Sequence, residues 1–230
     1  MPYHWFMLHV AIVDDDPWVR EGRAGALVRK GVEVVHLSDH IEALARDGWD
    51  DVDVLLVDAH NSGAEFDRFQ GVRVVEKVRG ERPKGDLRIV VLTGHAFNDL
   101  LRIRMAEAGA DVLFPHDAVR SPDDLMAVVD GTGWAATGVD DGARARVGLA
   151  PRSNVNQAVA WAEQHLGEAA LEPGKSQKSL ELTRRRLITA RRRVSELTGM
   201  SPGGSGSRSI LEWREVAAFL QRARGAERRS

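Results

Sequence analysis

Val10-Ala-Ile-Val-Asp-Asp-Asp-Pro17 is the stretch that decides how this 230-residue chain is read. A short apolar run rich in β-branched residues ends in three consecutive carboxylates. The proline behind them carries the fixed φ that suits the first turn of a helix. The segment therefore reads as a buried strand with an acidic tip that turns at once into a helix. Outward from it, comparable apolar runs recur at Val32–Val35, Val52–Val57, Ile89–Leu92 and Val112–Phe114, separated by helix-like segments. Near-continuous apolar strands alternating with helices predict a parallel sheet covered on both faces, with ligands bound beyond the carboxyl ends of the strands. Asp16-Pro17 and Ser121-Pro122-Asp123-Asp124 each place a capping side chain before a first-turn proline, marking two helix starts.

Asp14 and Asp15 fall at the tip of the first strand and Asp58 at the tip of the third. With those strands adjacent, the carboxylates converge at one edge, where hard oxygen donors suit Mg2+. Phosphoryl transfer asks little covalent help of a protein beyond an in-line nucleophile, a bridging metal and donors where charge collects. Thr93, closing Val-Val-Leu-Thr-Gly, supplies a hydroxyl donor. A lone aspartate at a strand end reads as a helix cap; the set reads as a site.

In these segments the chain resembles the response-regulator receiver family, over about residues 8 to 132. The similarity is carried by Val10 to Pro17, by Asp-Val-Leu-Leu-Val-Asp at 53–58, by Ile-Val-Val-Leu-Thr-Gly-His at 89–95 and by Ala-Gly-Ala-Asp at 108–111. The resemblance implies a flavodoxin-like, doubly wound five-stranded α/β receiver. Asp14 and Asp15 hold Mg2+ with Asp58, Asp58 accepts a phosphoryl group from a histidine kinase, and Thr93 moves toward the phosphate as the switch. Two positions depart from the family pattern. His116 stands where the family has a phosphate-pairing lysine, and no lysine occurs between Gly85 and Gly174. Leu113 stands where the family has a switch aromatic, so ring rotation is not the readout. A neutral imidazole near pH 7 is a weaker counter-charge than an ammonium, although a nearby phosphate favours its protonation.

Composition sets the frame for the rest. The hydrophobic fraction of 43% and charged fraction of 29% are those of a globular chain of one ordinary domain plus a smaller one. Zero cysteines exclude disulfides, zinc–thiolate sites and thiol nucleophiles. No stretch approaches the roughly 20 apolar residues of a membrane span, and the N-terminus lacks a basic leader, so a soluble, cytoplasmic protein is expected. The net charge of −2 hides an asymmetry: residues 151–230 hold 15 Lys+Arg against 8 Glu and no Asp, or +7, leaving −9 for residues 1–150. An acidic module followed by a basic one points to metal or phosphate chemistry in front and a polyanion behind.

The expected organisation is a receiver at 1–134, a linker at 135–152 and a smaller all-α domain at 153–230. Val155, Ala158, Val159, Ala162 and Leu166 form one helical stripe behind a Ser153 or Asn154 cap, and Glu172-Pro173-Gly174-Lys175 breaks the chain. A second helix is predicted over about 179–197, with Leu180, Leu187, Ala190, Val194 and Leu197 on one side and Gly199 as its stop. Ser209-Ile-Leu-Glu212 reads as a capping box opening a last helix with Trp213, Val216, Ala217 and Leu220. The second helix carries six arginines in the ten positions from 184 to 193, enough to neutralise several phosphates. It is similar over about 20 residues to sigma-factor and LuxR-type recognition helices, through Arg186-Leu187, Ala190-Arg191 and Val194. That resemblance implies a divergent helix-turn-helix binding double-stranded DNA, with Arg184, Arg185, Arg191 and Arg192 as the contacts. The receiver's closing stretch, from His116 to Leu125, resembles the class that carries LuxR-type outputs.

The eight histidines show no metal-ligand spacing except the isolated His36 and His40, and Trp161 and Trp213 read as core. The reading is of an atypical two-component response regulator controlling transcription, homodimeric and not an enzyme. Residues 151–230 hold no catalytic constellation. The alternative is a degenerate receiver scaffold whose C-terminal helices bind a partner protein.

Overall fold

The computed structural model describes residues 7–132, 142–167, 171, 184–200 and 211–226. Five strands, β1 (His9–Val13), β2 (Glu33–Ser38), β3 (Val54–Val57), β4 (Arg88–Thr93) and β5 (Val112–Pro115), form one all-parallel sheet in the order β2-β1-β3-β4-β5. This is the doubly wound, flavodoxin-like order expected from the sequence. The intervening helices are α1 (Pro17–Val28), α2 (His40–Ala45), α3 (Gln70–Glu81), α4 (Asp99–Ala108) and α5 (Pro122–Asp130). A single 3-10 turn, His116–Ala118, follows β5. The Asp16 side chain accepts from the N–H groups of Trp18 and Val19, and that of Ser121 accepts from Asp124, so both expected caps are in place.

Side chains alternate through the sheet with the period of two that a strand imposes. Val10, Ile12, Val54, Leu56, Val90, Leu92, Val112 and Phe114 form one apolar core with Leu27 of α1 and Leu125, Val128 and Val129 of α5. The alternate residues, among them Ala11, Val13, Leu55, Val57, Ile89, Val91 and Leu113, are buried too, as two covered faces require. Register positions the site. Val13 pairs with Val57, so the next residues, Asp14 and Asp58, leave the sheet side by side.

The chain packs as two compact units. The first comprises the described residues up to 62, then 69–97 and 108–132, and contains the whole sheet. The second joins residues 63–68 and 98–107 to α6 (Gly142–Arg146), α7 (Val155–His165), α8 (Arg184–Thr198) and α9 (Trp213–Ala223). It is helical, without a strand among its described residues. All of α4 but its last residue belongs here, although α4 lies between β4 and β5 in the chain. The reason is visible in its sequence, Asp-Leu-Leu-Arg-Ile-Arg-Met-Ala-Glu-Ala, which is apolar on more than one side. Leu100 and Ile103 share one core with Val155, Ala158, Val159, Ala162, Leu187, Ala190, Val194, Trp213, Val216, Phe219 and Leu220.

Polar groups lock this second core. Arg104 is 2% exposed; its guanidinium grips both carboxylate oxygens of Asp67 at 2.7 and 2.9 Å and also donates to the Asn156 side chain and the Ala223 carbonyl. The Glu107 carboxylate accepts from the N–H groups of Val155 and Asn156 at the start of α7, where the helix dipole favours an anion. Asn154 caps the same helix through Gln157.

Several expectations need adjustment. Residues 142–146, expected as linker, form α6, whose Ala143 is fully buried in the second core; 135–141 lie outside the described residues. The arginine helix is seen from Arg184, while Leu180, the rest of 179–183 and the breaker Glu172-Pro173-Gly174-Lys175 lie outside them. Gly199 stops that helix with φ +67°. The box opening α9 is formed by Glu212, whose N–H donates to Glu215 at 2.6 Å, with Ser209 outside the described residues. Trp161, expected as core, is half-buried and stacks on His165.

Candidate functional site: an acidic pocket and an arginine helix

Asp14, Asp15 and Asp58 come together: each offers a carboxylate oxygen within 4.8 Å of the others. Asp58 sits between β1 and β4, its N–H donating to the Val13 carbonyl at 2.8 Å. Its Oδ1 is buried and has no hydrogen-bond partner, a costly arrangement for a carboxylate unless something cationic completes it. Asp15 is held by Ser62, whose N–H and hydroxyl donate to Oδ2 at 2.9 and 2.8 Å. Asp14 is almost fully enclosed; Oδ1 accepts from the Asp16 N–H and Oδ2 from Arg23 Nη1 at 2.5 Å. Burial raises Asp14 above the ordinary carboxylate range, with Arg23 opposing. Burial also pushes Asp15 upward, but the Ser62 hydrogen bonds outweigh it and hold that carboxyl below the usual range.

The wall of the pocket is made by β4, β5 and two groups beneath Asp58. Thr93 is fully buried, and its Oγ1 accepts from the His95 N–H at 3.1 Å, which leaves the hydroxyl hydrogen uncommitted by that bond. His116 Nε2 donates to the Leu92 carbonyl at 2.9 Å and stands 3.6 Å from Asp58 Oδ1, an ion-pair distance and too long for a hydrogen bond. The Asp58 carboxylate raises His116 above the ordinary imidazole value, against burial, which lowers it. Below, the enclosed His40 donates from Nε2 to the Asp58 carbonyl at 2.8 Å. Gly71, in the first turn of α3, lies against the same carbonyl so closely that a Cβ there would stand 2.2 Å from it.

In α8 the arginines divide by environment. Arg185, Arg186, Arg192 and Arg193 are exposed, with Arg192 and Arg193 each 3.5 Å from Glu196. Arg191 differs from its expected role: it is partly buried and its Nε donates to the Leu211 carbonyl, so part of its guanidinium is already used within the fold. Arg184 opens the helix, and its side chain is outside what is described. Between α7 and α8 lies a cavity of about 600 Å³ whose lining includes Trp161, His165, Arg185 and Arg186. Of residues 166–183, which join α7 to α8, only Leu166, Gly167 and Leu171 are among the described residues.

No protein-family model matches the sequence, and no curated protein matches it. Its structural neighbours are response-regulator receiver domains. The chemotaxis response regulator CheY4 of Vibrio cholerae is 23% identical, with 54% of this chain and 98% of that chain covered and a TM-score of 0.44. The isolated receiver domain of RcsB from Salmonella enterica serovar Typhimurium, determined with the phosphomimetic BeF3-, is 22% identical over 57% of this chain and 95% of that one, at a TM-score of 0.41. A longer RcsB structure from Salmonella typhimurium, a response regulator described for its DNA interaction, is 19% identical over 84% of this chain and 93% of its own, also at 0.41.

Sequence reasoning missed Arg23, His40, Ser62 and Gly71. Helical side chains lean toward the N-terminus, so the sequence shows that Arg20 and Arg23, three apart on α1, reach back toward the strand tip, but not that Arg23 is the one that meets the Asp14 carboxylate. His40, Ser62 and Gly71 meet the pocket only through tertiary folding. The donor set, three hard oxygens with one buried oxygen unsatisfied, fits a small divalent cation.

Proposed function

We propose that the chain is an atypical two-component response regulator, with Asp58 as phosphoryl acceptor and Asp14, Asp15 and Asp58 as the Mg2+ ligands. The observation that carries this reading is the buried Asp58 Oδ1, without a hydrogen bond, inside a three-carboxylate cluster at the carboxyl edge of a parallel sheet. Asp14, Asp15 and Asp58 would hold Mg2+, which would supply neutralisation of the carboxylate and phosphoryl charge. Thr93 offers its hydroxyl hydrogen to a phosphoryl oxygen, giving up the bond from the His95 N–H as it moves. His116, already drawn toward its protonated form by Asp58, supplies the counter-charge that a lysine gives elsewhere. Trp18 and Phe97, each 87% exposed on segments leaving β1 and β4, are apolar surface suited to a phosphodonor such as a histidine kinase.

The output reading is transcriptional. A cytoplasmic homodimer binds double-stranded DNA through Arg184, Arg185 and Arg192 of a divergent, LuxR-like helix-turn-helix, with Arg191 divided between DNA and Leu211. Phosphorylation, or a phosphate-independent signal, gates that access by shifting populations between closed and binding-competent forms. The domains of this regulator are a receiver at 1–134 and an output at 153–230, with residues 63–68, 98–107 and α6 packed in the helical unit, and it has no catalytic activity of its own. Leu113 and His116 favour one second reading, a receiver without a phosphorylation cycle whose C-terminal helices bind a protein.

Incubation with Mg2+ and acetyl phosphate, or with BeF3-, should give an adduct that Asp58→Asn abolishes; intact-mass and NMR silence rejects the phosphoacceptor. Duplex DNA binding should weaken steeply with salt, and Arg185→Ala with Arg192→Ala should lower the salt slope by about 2. Flat or absent binding favours the protein-partner reading.

A further inference from the structure

We infer that Arg23 is a built-in cation of the acidic pocket: it neutralises Asp14 while the divalent site is empty and must release that carboxylate before a divalent cation can use it. This rests on the proposed Mg2+ pocket and deepens it.

The argument starts from charge. Three carboxylates lie within 4.8 Å, and Asp14 and Asp58 are at least nine-tenths buried, so their repulsion is poorly screened by water. Lone pairs then decide which oxygens are ready for a cation. Asp58 Oδ1 has no hydrogen-bond partner, and Asp15 keeps its Ser62 bonds on Oδ2 alone. Asp14 is claimed on both oxygens, by the Asp16 N–H at 3.0 Å and by Arg23 Nη1 at 2.5 Å. The backbone N–H is neutral and compatible with a metal on the second lone pair. The guanidinium is not, because it places a full positive charge on the same carboxylate that the incoming cation would use. Arg23 is held in that place from the second turn of α1, with only 14% of its side chain exposed, and so is not a solvated surface group that swings in at random. Arg20 makes an instructive contrast: it donates to the Asp14 backbone carbonyl and leaves the carboxylate alone.

The consequences are opposite in sign for the empty and the filled pocket. Without the arginine the empty pocket is less stable and the divalent ion binds more tightly. Full-length protein stripped with EDTA should be titrated with Mg2+ by calorimetry and by thermal melting, as wild type, Arg23→Gln and Arg20→Gln. Arg23→Gln should lower the melting temperature without Mg2+, raise it more than wild type with Mg2+, and bind Mg2+ about tenfold or more tightly. A second measurement needs no variant: the guanidinium NMR signals of Arg23 in the wild type should lose their protection from exchange as Mg2+ saturates. Equal Mg2+ affinities for wild type and Arg23→Gln overturn the inference and leave the metal pocket standing, as does an Arg23 signal unmoved at saturation. An equal gain from Arg20→Gln overturns it in favour of a general charge effect. No Mg2+ binding by any of the three proteins overturns the pocket reading itself and this inference with it.

Discussion

Both compact units bury an arginine against an aspartate, and the two pairs are built in contrasting ways. In the helical unit, the Arg104 and Asp67 side chains are each 3% exposed and meet through two parallel hydrogen bonds, while two further guanidinium hydrogens go to Asn156 and Ala223. In the sheet unit, Arg23 meets Asp14 through one hydrogen bond, beside a second buried carboxylate whose Oδ1 has no hydrogen-bond partner. A network in which both carboxylate oxygens are hydrogen-bonded organises a core. An unsaturated one marks a place where something else is meant to bind. Burial of charge alone therefore does not identify a site; a buried carboxylate oxygen without a hydrogen bond inside a three-carboxylate cluster does.

The largest expected effect tests the saturated pair. Arg104→Ala leaves Asp67 charged and enclosed, and should cost about 3–5 kcal/mol in urea unfolding. A loss no larger than a surface ion pair's, about 1 kcal/mol, would break the contrast between the two regions. Replacing Arg104 and Asp67 together by leucine should recover much of that loss, since the penalty lies in the unpaired charge. Gly71→Ala comes next: its Cβ meets the Asp58 carbonyl at 2.2 Å, so α3 or the strand tip must shift, at about 1–3 kcal/mol. Adduct formation on Asp58 should fall with it; a stable Gly71→Ala variant with full reactivity would show the tip to be tolerant. In the helical unit, Asn154→Ala removes the cap of α7 and should cost about 1 kcal/mol by the same assay.

The smallest effect sharpens the other pair's surroundings. His116 has its folded pKa raised by Asp58 above 6.5. The ion pair therefore stabilises the fold fully below that value and is lost as pH rises through the higher folded value. With 40% of the imidazole side chain exposed, solvent screening limits the term to a few tenths of a kcal/mol. Unfolding midpoints in EDTA should thus fall slightly more across this window for wild type than for His116→Gln. Superimposable pH profiles would remove His116 from the electrostatics of the pocket.

Much of this architecture was legible before any coordinates. Strand positions follow from β-branched apolar runs, and Asp16 and Ser121 cap the helices they precede. The acidic cluster follows from strand tips once β1 and β3 are adjacent. Gly199 stops α8 because glycine alone takes its left-handed φ without strain. What escaped the sequence is instructive. The segment at 98–107 reads as one more helix-like segment between strands, yet its apolar residues on several sides and the interior Arg104 tie it to the helical core. Arg191 reads as one more exposed base of a cationic face, but its guanidinium is engaged by a carbonyl 20 residues away.

The sequence by itself determined the elements, their order and the carboxylates at the strand tips, because period-two and period-3.6 patterns, caps and prolines act over a few residues. Only the tertiary structure decided that Arg23 closes on Asp14, that His40 and Gly71 support Asp58 from below, and that residues 63–68 and 98–107 serve the helical unit. Those outcomes depend on how far a long side chain reaches and on which neighbour leaves a lone pair unspent, and both are set by packing between residues distant in the chain.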